Sequence, residues 1–240
     1  MARLLDWPLG LRANAMKRLA GPRTKGPDPT ESGDGTIQTV TTPFGARSFE
    51  LGFPNIRGAM ARRVRGWISA QHGGANATRV QVCDWDGMTR EQMGLSGSRE
   101  EWRRGIAWSN GAPWSNGENW GACPPVVPVS AGASRGDTIV SLANKYWGYS
   151  LGLGDWLGFM PFHFGWYEVT EVIEPGTYRI DLPLRAALTT SSYATLRPVV
   201  AARMLSESAA EGDRNAVFLS GLRIRFTEVF DYDVRDYFTD

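Results

Sequence analysis

The stretch GLRIRFTEVF, residues 221–230, decides the fold class. In this stretch Leu222, Ile224 and Phe226 alternate with two arginines. Alternation with a period of two is typical of a β-strand that buries one face and exposes the other. The pattern therefore predicts a long strand, the last in the chain.

Shorter segments of the same kind precede it. Strand patterns separated by turn residues occur in the order DTIVSLAN, GDWLGFM, WYEVTEVI, TYRIDLP and YATLRPVV between residues 137 and 200. Residues 37–44 and 47–53 also alternate, with a glycine between them, and predict a hairpin. The 10 tryptophans and 28 glycines agree with this pattern, because aromatic side chains fit pleated sheets and glycine supplies turns. We therefore predict an all-β protein whose second half is a small barrel or sandwich.

Three segments depart from the strand pattern. In GAMARRVRGWISAQ, residues 58–71, the apolar residues fall on one helical face and three arginines lie elsewhere. This spacing predicts an amphipathic helix, and the arginines favour a solvated face over a phosphate-binding one. Residues 203–213 predict a second helix-like segment. Residues 20–36 are rich in glycine, proline and charge, which predicts a flexible arm or an exposed loop.

The charge balance assigns no partner. Lysine and arginine number 26 and aspartate and glutamate 25, which gives a net charge of +1, so no global field attracts nucleic acid. No apolar run reaches the length of a signal peptide or a membrane span. We expect a soluble protein that is made in the cytoplasm, binds no nucleic acid and does not insert into membranes. Cys83 and Cys123 lack C-x-x-C spacing, so we expect two reduced thiols.

The sequence contains no recognisable catalytic motif. His72 and His163 are the only histidines, and neither has the spacing of a metal site. We expect them to pack or to cap. The sequence also lacks the G-x-S-x-G elbow of a nucleophile and the Walker and G-x-G-x-x-G loops that bind phosphate. We therefore expect no catalytic residue, no metal and no cofactor, and a protein that is not an enzyme.

Carboxylates leave one enzymatic alternative open. A glycosidase needs only two carboxylates that flank a groove, and Asp84, Asp86 and Glu118 are candidates. Nothing in their spacing brings two of them together, and acidic residues are ordinary at turns. A lysin-like hydrolase therefore stays an alternative hypothesis.

A tryptophan-rich loop, WSNGAPWSNGENW at residues 108–120, repeats the tetrapeptide WSNG. Asn-Gly dipeptides favour turns because both residues tolerate positive φ, so two successive turns would place their tryptophans at equivalent positions. The indoles would then fix the loop to its own domain or to a neighbouring subunit, or would stack on sugar rings. The candidate contact residues are Trp108, Trp114, Trp120, Asn110 and Asn116.

Several short motifs follow one another in an order that resembles a known family. Gly154-Asp155-Trp156 opens one strand pattern, Tyr167-Glu168-Val169 lies in the next, and Pro183-Leu184-Arg185 follows a turn and a further strand pattern. DWPLGL near the start, Gln38-Thr39-Val40 and the WSNG loop add to the likeness. The chain resembles the distal tail proteins at the tail tip of siphophages and of related gene-transfer particles.

This resemblance implies a structural virion protein at the tail tip. Members of the family form homo-oligomeric rings, often hexamers, that join the tail tube protein to the tail hub and adhesion proteins, near the tape-measure protein. Their body is a β-sandwich with one flanking helix, completed by the C-terminal strand, and a second β-domain is inserted into it. By this resemblance residues 1–127 and 206–240 form the body, and residues 128–205 form the inserted small β-barrel or sandwich.

A second function is compatible with the same family. If Trp108, Trp114 and Trp120 are exposed, the chain would act as a carbohydrate-binding module that recognises a host-surface glycan. The turn dipeptides favour a packing role for these indoles over exposed sugar platforms.

Overall fold

The computed structural model describes residues 3–20, 30–31, 37–38, 45–82, 84, 86–88, 112, 126–143, 151–161, 163, 165–205, 210–214 and 219–230. This part of the chain is mostly β-strand and contains one α-helix, which confirms the predicted all-β fold class.

The elements follow in chain order. The strands before the helix are β1 (Leu4–Leu5), β2 (Ala15–Ala20), β3 (Thr30–Glu31), β4 (Ile37–Gln38) and β5 (Ser48–Gly52). Helix α1 (Gly58–Ala70) and a 3₁₀ turn (His72–Gly74) lead to β6 (Ala77–Gln81), β7 (Val126–Ala131), β8 (Ile139–Leu142) and β9 (Trp156–Met160). Then come β10 (Tyr167–Glu174), β11 (Thr177–Asp181), β12 (Tyr193–Thr195), β13 (Val199–Met204), β14 (Ala210–Arg214) and β15 (Leu219–Glu228).

The chain divides into two compact units, which we call the body and the barrel. The body comprises Met1–Val82 and Val199–Asp240, and the barrel comprises Cys83–Pro198. Both boundaries differ from the expected ones. The first cannot lie at 127/128, because Val126–Ala131 is one barrel strand; the second precedes Val199–Met204, because that strand pairs with β6 and β15 of the body.

One sheet organises the body. Its strand order is β1-β6-β13-β15-β5-β2, and β14 pairs with β15 as the seventh strand. Strand β15 is the predicted long strand, and its Leu222, Ile224 and Phe226 are buried while Arg223 and Arg225 are exposed. The alternation seen in the sequence is therefore the alternation of the two sheet faces.

Helix α1 covers the apolar face of this sheet. Val64 and Trp67 are buried on the predicted helical face, whereas the three arginines of the helix are exposed. Trp67 lies 5.2 Å from Trp7 and 6.3 Å from Phe226, measured between ring centroids. The predicted helix and its solvated arginine face are thus confirmed, and aromatic packing joins the helix to the sheet.

The described residues of the predicted hairpin, 37–38 and 47–53, do not pair with each other, and each segment pairs with other strands. Residues 47–53 do contain a strand, β5, but β15 and β2 pair along its two edges over its whole length. No edge of β5 remains for residues 37–44. The described part of that segment, β4, pairs instead with β3, which lies inside the expected exposed arm at residues 20–36.

The predicted helix-like segment at residues 203–213 is also wrong where the structure describes it. β13 extends to Met204, and Ala210–Arg214 forms β14, which pairs antiparallel with the first half of β15. Similarly, the single strand pattern at residues 193–200 is two strands, β12 and β13, in different units. Pro198 lies between them, and proline cannot donate to a strand ladder.

The inserted unit is a closed barrel with strand order β10-β11-β8-β7-β12-β9. Its core contains buried valine, leucine and isoleucine side chains together with Tyr167, Tyr178 and Phe159. Strand β11 alternates buried and accessible residues, since only Tyr178 and Ile180 are buried within Thr177–Asp181. Of the two predicted architectures for the second half, barrel or sandwich, the structure has the barrel.

Substitutions at two glycines test the packing of the body. Gly74 has φ +96°, and a Cβ built there would lie 2.3 Å from the backbone oxygen of Met204 on β13. We expect Gly74→Ala to lower the free energy of unfolding by about 3 kcal/mol, because backbone strain and a clash with the sheet add together. The midpoint of urea denaturation measures this effect.

Gly66→Ala is the matched control, because Gly66 lies within helix α1 and a Cβ added to it would meet no other atom within 4 Å. We expect it to raise the free energy of unfolding by roughly 0.5–1 kcal/mol, since alanine favours the helix. Equal effects of the two substitutions would contradict the close approach of Gly74 to β13.

Candidate functional site

The residues predicted to make functional contacts lie outside the described part of the chain. They are Trp108, Trp114, Trp120, Asn110 and Asn116. Glu118, Cys83 and Cys123 lie outside it as well. The roles predicted for these side chains therefore stay predictions.

Asp84 and Asp86, the two described carboxylates of the hydrolase alternative, belong to a turn. The backbone N–H of Asp86 donates to Oδ1 of Asp84 at 3.0 Å, and a Cβ at Gly87 would lie 3.1 Å from the other carboxylate oxygen of Asp84. Such a side chain to backbone bond is characteristic of an Asx turn. The contacts of Asp84 thus have a structural explanation.

His163 lies in a buried hydrogen-bond chain of the barrel. The backbone N–H of Arg185 donates to Oη of Tyr167 at 3.0 Å, and that hydroxyl lies 3.1 Å from Nδ1 of His163. On the other side of the ring, Nε2 lies 3.1 Å from the carbonyl oxygen of Ala186. A carbonyl oxygen can only accept, so Nε2 carries the hydrogen, and Tyr167 donates to Nδ1. His163 therefore has the packing role expected of it, whereas His72 is exposed at the 3₁₀ turn.

Removing the Tyr167 hydroxyl tests this chain. Tyr167→Phe would leave the buried N–H of Arg185 and Nδ1 of His163 without the hydroxyl, and we expect a loss of about 1–3 kcal/mol in the free energy of unfolding. Tyr193→Phe is the control, because Tyr193 is 45% exposed and its hydroxyl can bond to water. We expect almost no change for it in thermal or urea unfolding. Equal losses of unfolding free energy in the two variants would contradict a stabilising role of the hydrogen bonds of the Tyr167 hydroxyl.

Asp155 has a shifted pKa. Burial raises the pKa of its carboxyl above 3.8, the N–H of Gly152 opposes this by donating to Oδ2 at 2.7 Å, and the charge of Asp84 adds to the rise. Because the folded-state pKa lies above the unfolded one, folding favours the protonated form. The stabilising contribution is complete below the unfolded pKa and is lost as pH rises through the folded pKa.

Asp155→Asn removes this ionisation and keeps an acceptor for Gly152. We therefore expect the melting temperature of the variant, relative to the unchanged protein, to increase as pH rises from about 4 towards neutrality. Asp137→Asn is the control, since Asp137 accepts an equivalent bond from the N–H of Ser134 at 2.7 Å. A difference that stays constant or falls with pH would contradict the raised pKa of Asp155.

The face of the body sheet opposite helix α1 is basic. Lys17, Arg79, Arg203, Arg223 and Arg225 lie on it by strand register, and we call this surface the basic face. Its carboxylates, among the side chains that the structure describes, are Glu50 and Asp6, which pairs with Arg79 at 3.1 Å. Among the described side chains, cations therefore outnumber carboxylates on this face.

Glu50 is the centre of the basic face. Its side chain is only 8% exposed and lies 2.9 Å from Nε of Arg225 and 3.6 Å from Nη1 of Arg223. Lys17 is opposite it on the neighbouring strand. The buried carboxylate holds two guanidinium groups at the surface, because a buried charge requires close partners.

The β10–β11 hairpin of the barrel is acidic. By register, Glu168, Glu171 and Glu174 on β10 lie on the same side of the hairpin as Asp181 on β11. The one described cation of the hairpin is Arg179, which binds Glu171 at 2.6 Å. Val172 and Ile173 are 40% and 44% exposed between these glutamates. We call residues 168–181 the acidic hairpin.

Neither of these two surfaces was predicted from the sequence. The alternation around Arg223 and Arg225 shows that these side chains share a face, but it does not show that Lys17, Glu50 and Arg203 lie beside them. That grouping depends on pairing between strands far apart in the chain, such as Glu50 with Arg225. The three-residue spacing of Glu168, Glu171 and Glu174 is visible in the sequence, and it is the signal that would have located the acidic hairpin.

The described residues contain no group of three or more side chains that could hold a metal ion, and no helix among them is long and apolar enough to cross a membrane. By its folded elements this is an all-β protein of two units. No protein-family model matches the chain, and no curated protein matches it significantly.

Proposed function

We propose that this chain is a structural protein of the tail tip of a long non-contractile phage tail, where it forms the distal ring between the tail tube and the hub. The ring is a homo-oligomer, with six copies as the resemblance implies. The protein works by packing against copies of itself and against the neighbouring tail proteins. It acts in the virion and is made in the host cytoplasm.

The observation that supports this proposal most is the way in which the barrel interrupts the body. Residues from both ends of the chain form one sheet, in which β15 pairs with β5, and the barrel is inserted between β6 and β13. A body completed by a C-terminal strand, with one helix and an inserted β-domain, is what the resemblance to distal tail proteins leads us to expect. The likeness of motifs and the order of elements therefore support the same proposal.

A glycan-binding role is the alternative for the same tail tip. It depends on Trp108, Trp114 and Trp120, which lie outside the described residues. It therefore rests on the sequence alone. Loss of glycan binding on Trp114→Ala is the observation that would favour it.

Electron microscopy of the purified full chain tests the ring. We expect closed rings of uniform subunit number, because heterologous contacts between identical copies close into a ring when their rotation permits. Native mass spectrometry gives the number of copies. An antibody against the chain is expected to label the distal end of the tail in purified particles. Monomers at every protein concentration, together with unlabelled tails, would contradict the proposal.

A further inference from the structure

The two charged surfaces lie on different units and have opposite signs. The basic face belongs to the body sheet, and the acidic hairpin belongs to the barrel. Surfaces of opposite charge favour encounter and fix the register of association. A contact between two different surfaces of identical molecules is heterologous, so it passes from one copy to the next.

We propose that, in the assembled ring, the acidic hairpin of each copy binds the basic face of the next copy. This inference rests on the proposed ring function and adds the surfaces that would join its subunits. The occupant of the basic face is thus a second copy of this chain.

The arginines of the basic face are exposed and are already held in place by Glu50. Arg223 and Arg225 keep 69% and 49% of their side-chain surface exposed although both contact Glu50. A guanidinium group has five N–H donors in a planar arrangement that suits carboxylates. Because Glu50 holds these side chains in place, less side-chain entropy is lost when a further carboxylate binds.

The acidic hairpin offers both charge and apolar area. Thr170, Glu171, Val172, Ile173 and Glu174 are consecutive exposed residues, so both faces of this part of β10 are accessible. Two irregularities in the pairing interrupt the alternation of β10, and Glu171 lies opposite Arg179 while Glu174 lies opposite Thr177, so both glutamates are on the same side of the hairpin. Val172 and Ile173 are exposed between them, so the hairpin can present aliphatic and acidic side chains together to the basic face. This combination suits an interface better than exposed charge alone, since apolar burial supplies affinity and charge supplies specificity.

Charge reversal on each surface tests the contact in the full chain. We expect Arg203→Glu combined with Arg223→Glu to raise the dissociation constant of assembly about tenfold or more, because like charges then face each other. We expect the same of Glu171→Lys combined with Glu174→Lys. A chain with all four substitutions should assemble again, because every contact then has both charges reversed. Sedimentation velocity at about 0.05 and about 0.5 M NaCl measures assembly, which should weaken with salt for the unchanged protein.

Matched controls separate this contact from a general effect of charge. Arg62→Glu combined with Arg65→Glu makes the same charge change on the exposed side of α1, and Asp86→Lys changes an exposed residue elsewhere in the barrel unit. Assembly should be unchanged in both controls. Circular dichroism and thermal unfolding show whether each variant is folded, and the exposed Glu171–Arg179 ion pair is expected to contribute little to stability.

Four outcomes overturn the inference. Rings that are indifferent to both reversals, or a folded four-substitution chain that does not assemble, would remove the contact and leave the ring function intact. Dissociation on reversal of the basic face but not of the acidic hairpin would mean that another surface occupies that face. An unchanged protein that is monomeric throughout and absent from tails would contradict the ring function as well.

Discussion

The pairing of β15 with three other strands is the interaction on which the body depends. Its first half pairs with β14, its second half pairs with β13, and β5 pairs along its other edge. The residues paired with β5 are about 175 positions away in sequence, as between Glu50 and Arg225. Contacts of such separation close a long loop, and the entropy of closure grows only slowly with the length of that loop. An inserted domain between the two segments is therefore compatible with a stable sheet.

The same strand joins the two faces of the sheet, which have different chemistry. Phe226 points to the aromatic cluster under helix α1, with Phe49 at 5.7 Å between centroids. Its neighbour Arg225 points to the basic face, where it binds Glu50. A one-residue slip in the register of β15 would expose the aromatic side chain and bury the arginine. Hydrophobic burial on one face and the buried carboxylate on the other thus specify the same register.

Local periodicity predicted those elements whose own residues alternate between apolar and polar with the period of a strand or of a helix. The helix at Gly58–Ala70, the long strand at Leu219–Glu228 and most barrel strands are of this kind. Pairing partners could not be predicted in the same way. The segment AEGDR at Ala210–Arg214 has no alternation of apolar residues and is a strand because β15 offers it an edge. Likewise, the hairpin predicted for residues 37–44 and 47–53 is prevented because β2 pairs with β5 along an edge that the hairpin would need.

The site is less predictable than the fold for a related reason. Nothing in the sequence around Glu50 shows that it becomes nearly inaccessible, because its partners Arg223 and Arg225 come from the other end of the chain. The tryptophan loop, in contrast, is conspicuous in the sequence and lies outside the described residues. In this chain, unusual composition and the grouping of distant side chains by strand pairing therefore indicate two different candidate surfaces.

The ion pair between the buried carboxylate of Glu50 and the half-exposed Arg225 adds little net stability, because the cost of desolvating the carboxylate offsets the attraction. Their value lies in the arrangement that they impose. One carboxylate with Lys17, Arg223 and Arg225 around it leaves positive charge in excess, and like charges at this spacing repel one another. A second molecule that brings carboxylates to this face relieves the repulsion, so that its binding would also stabilise the folded body. Folding and assembly would then be thermodynamically linked through the same few side chains.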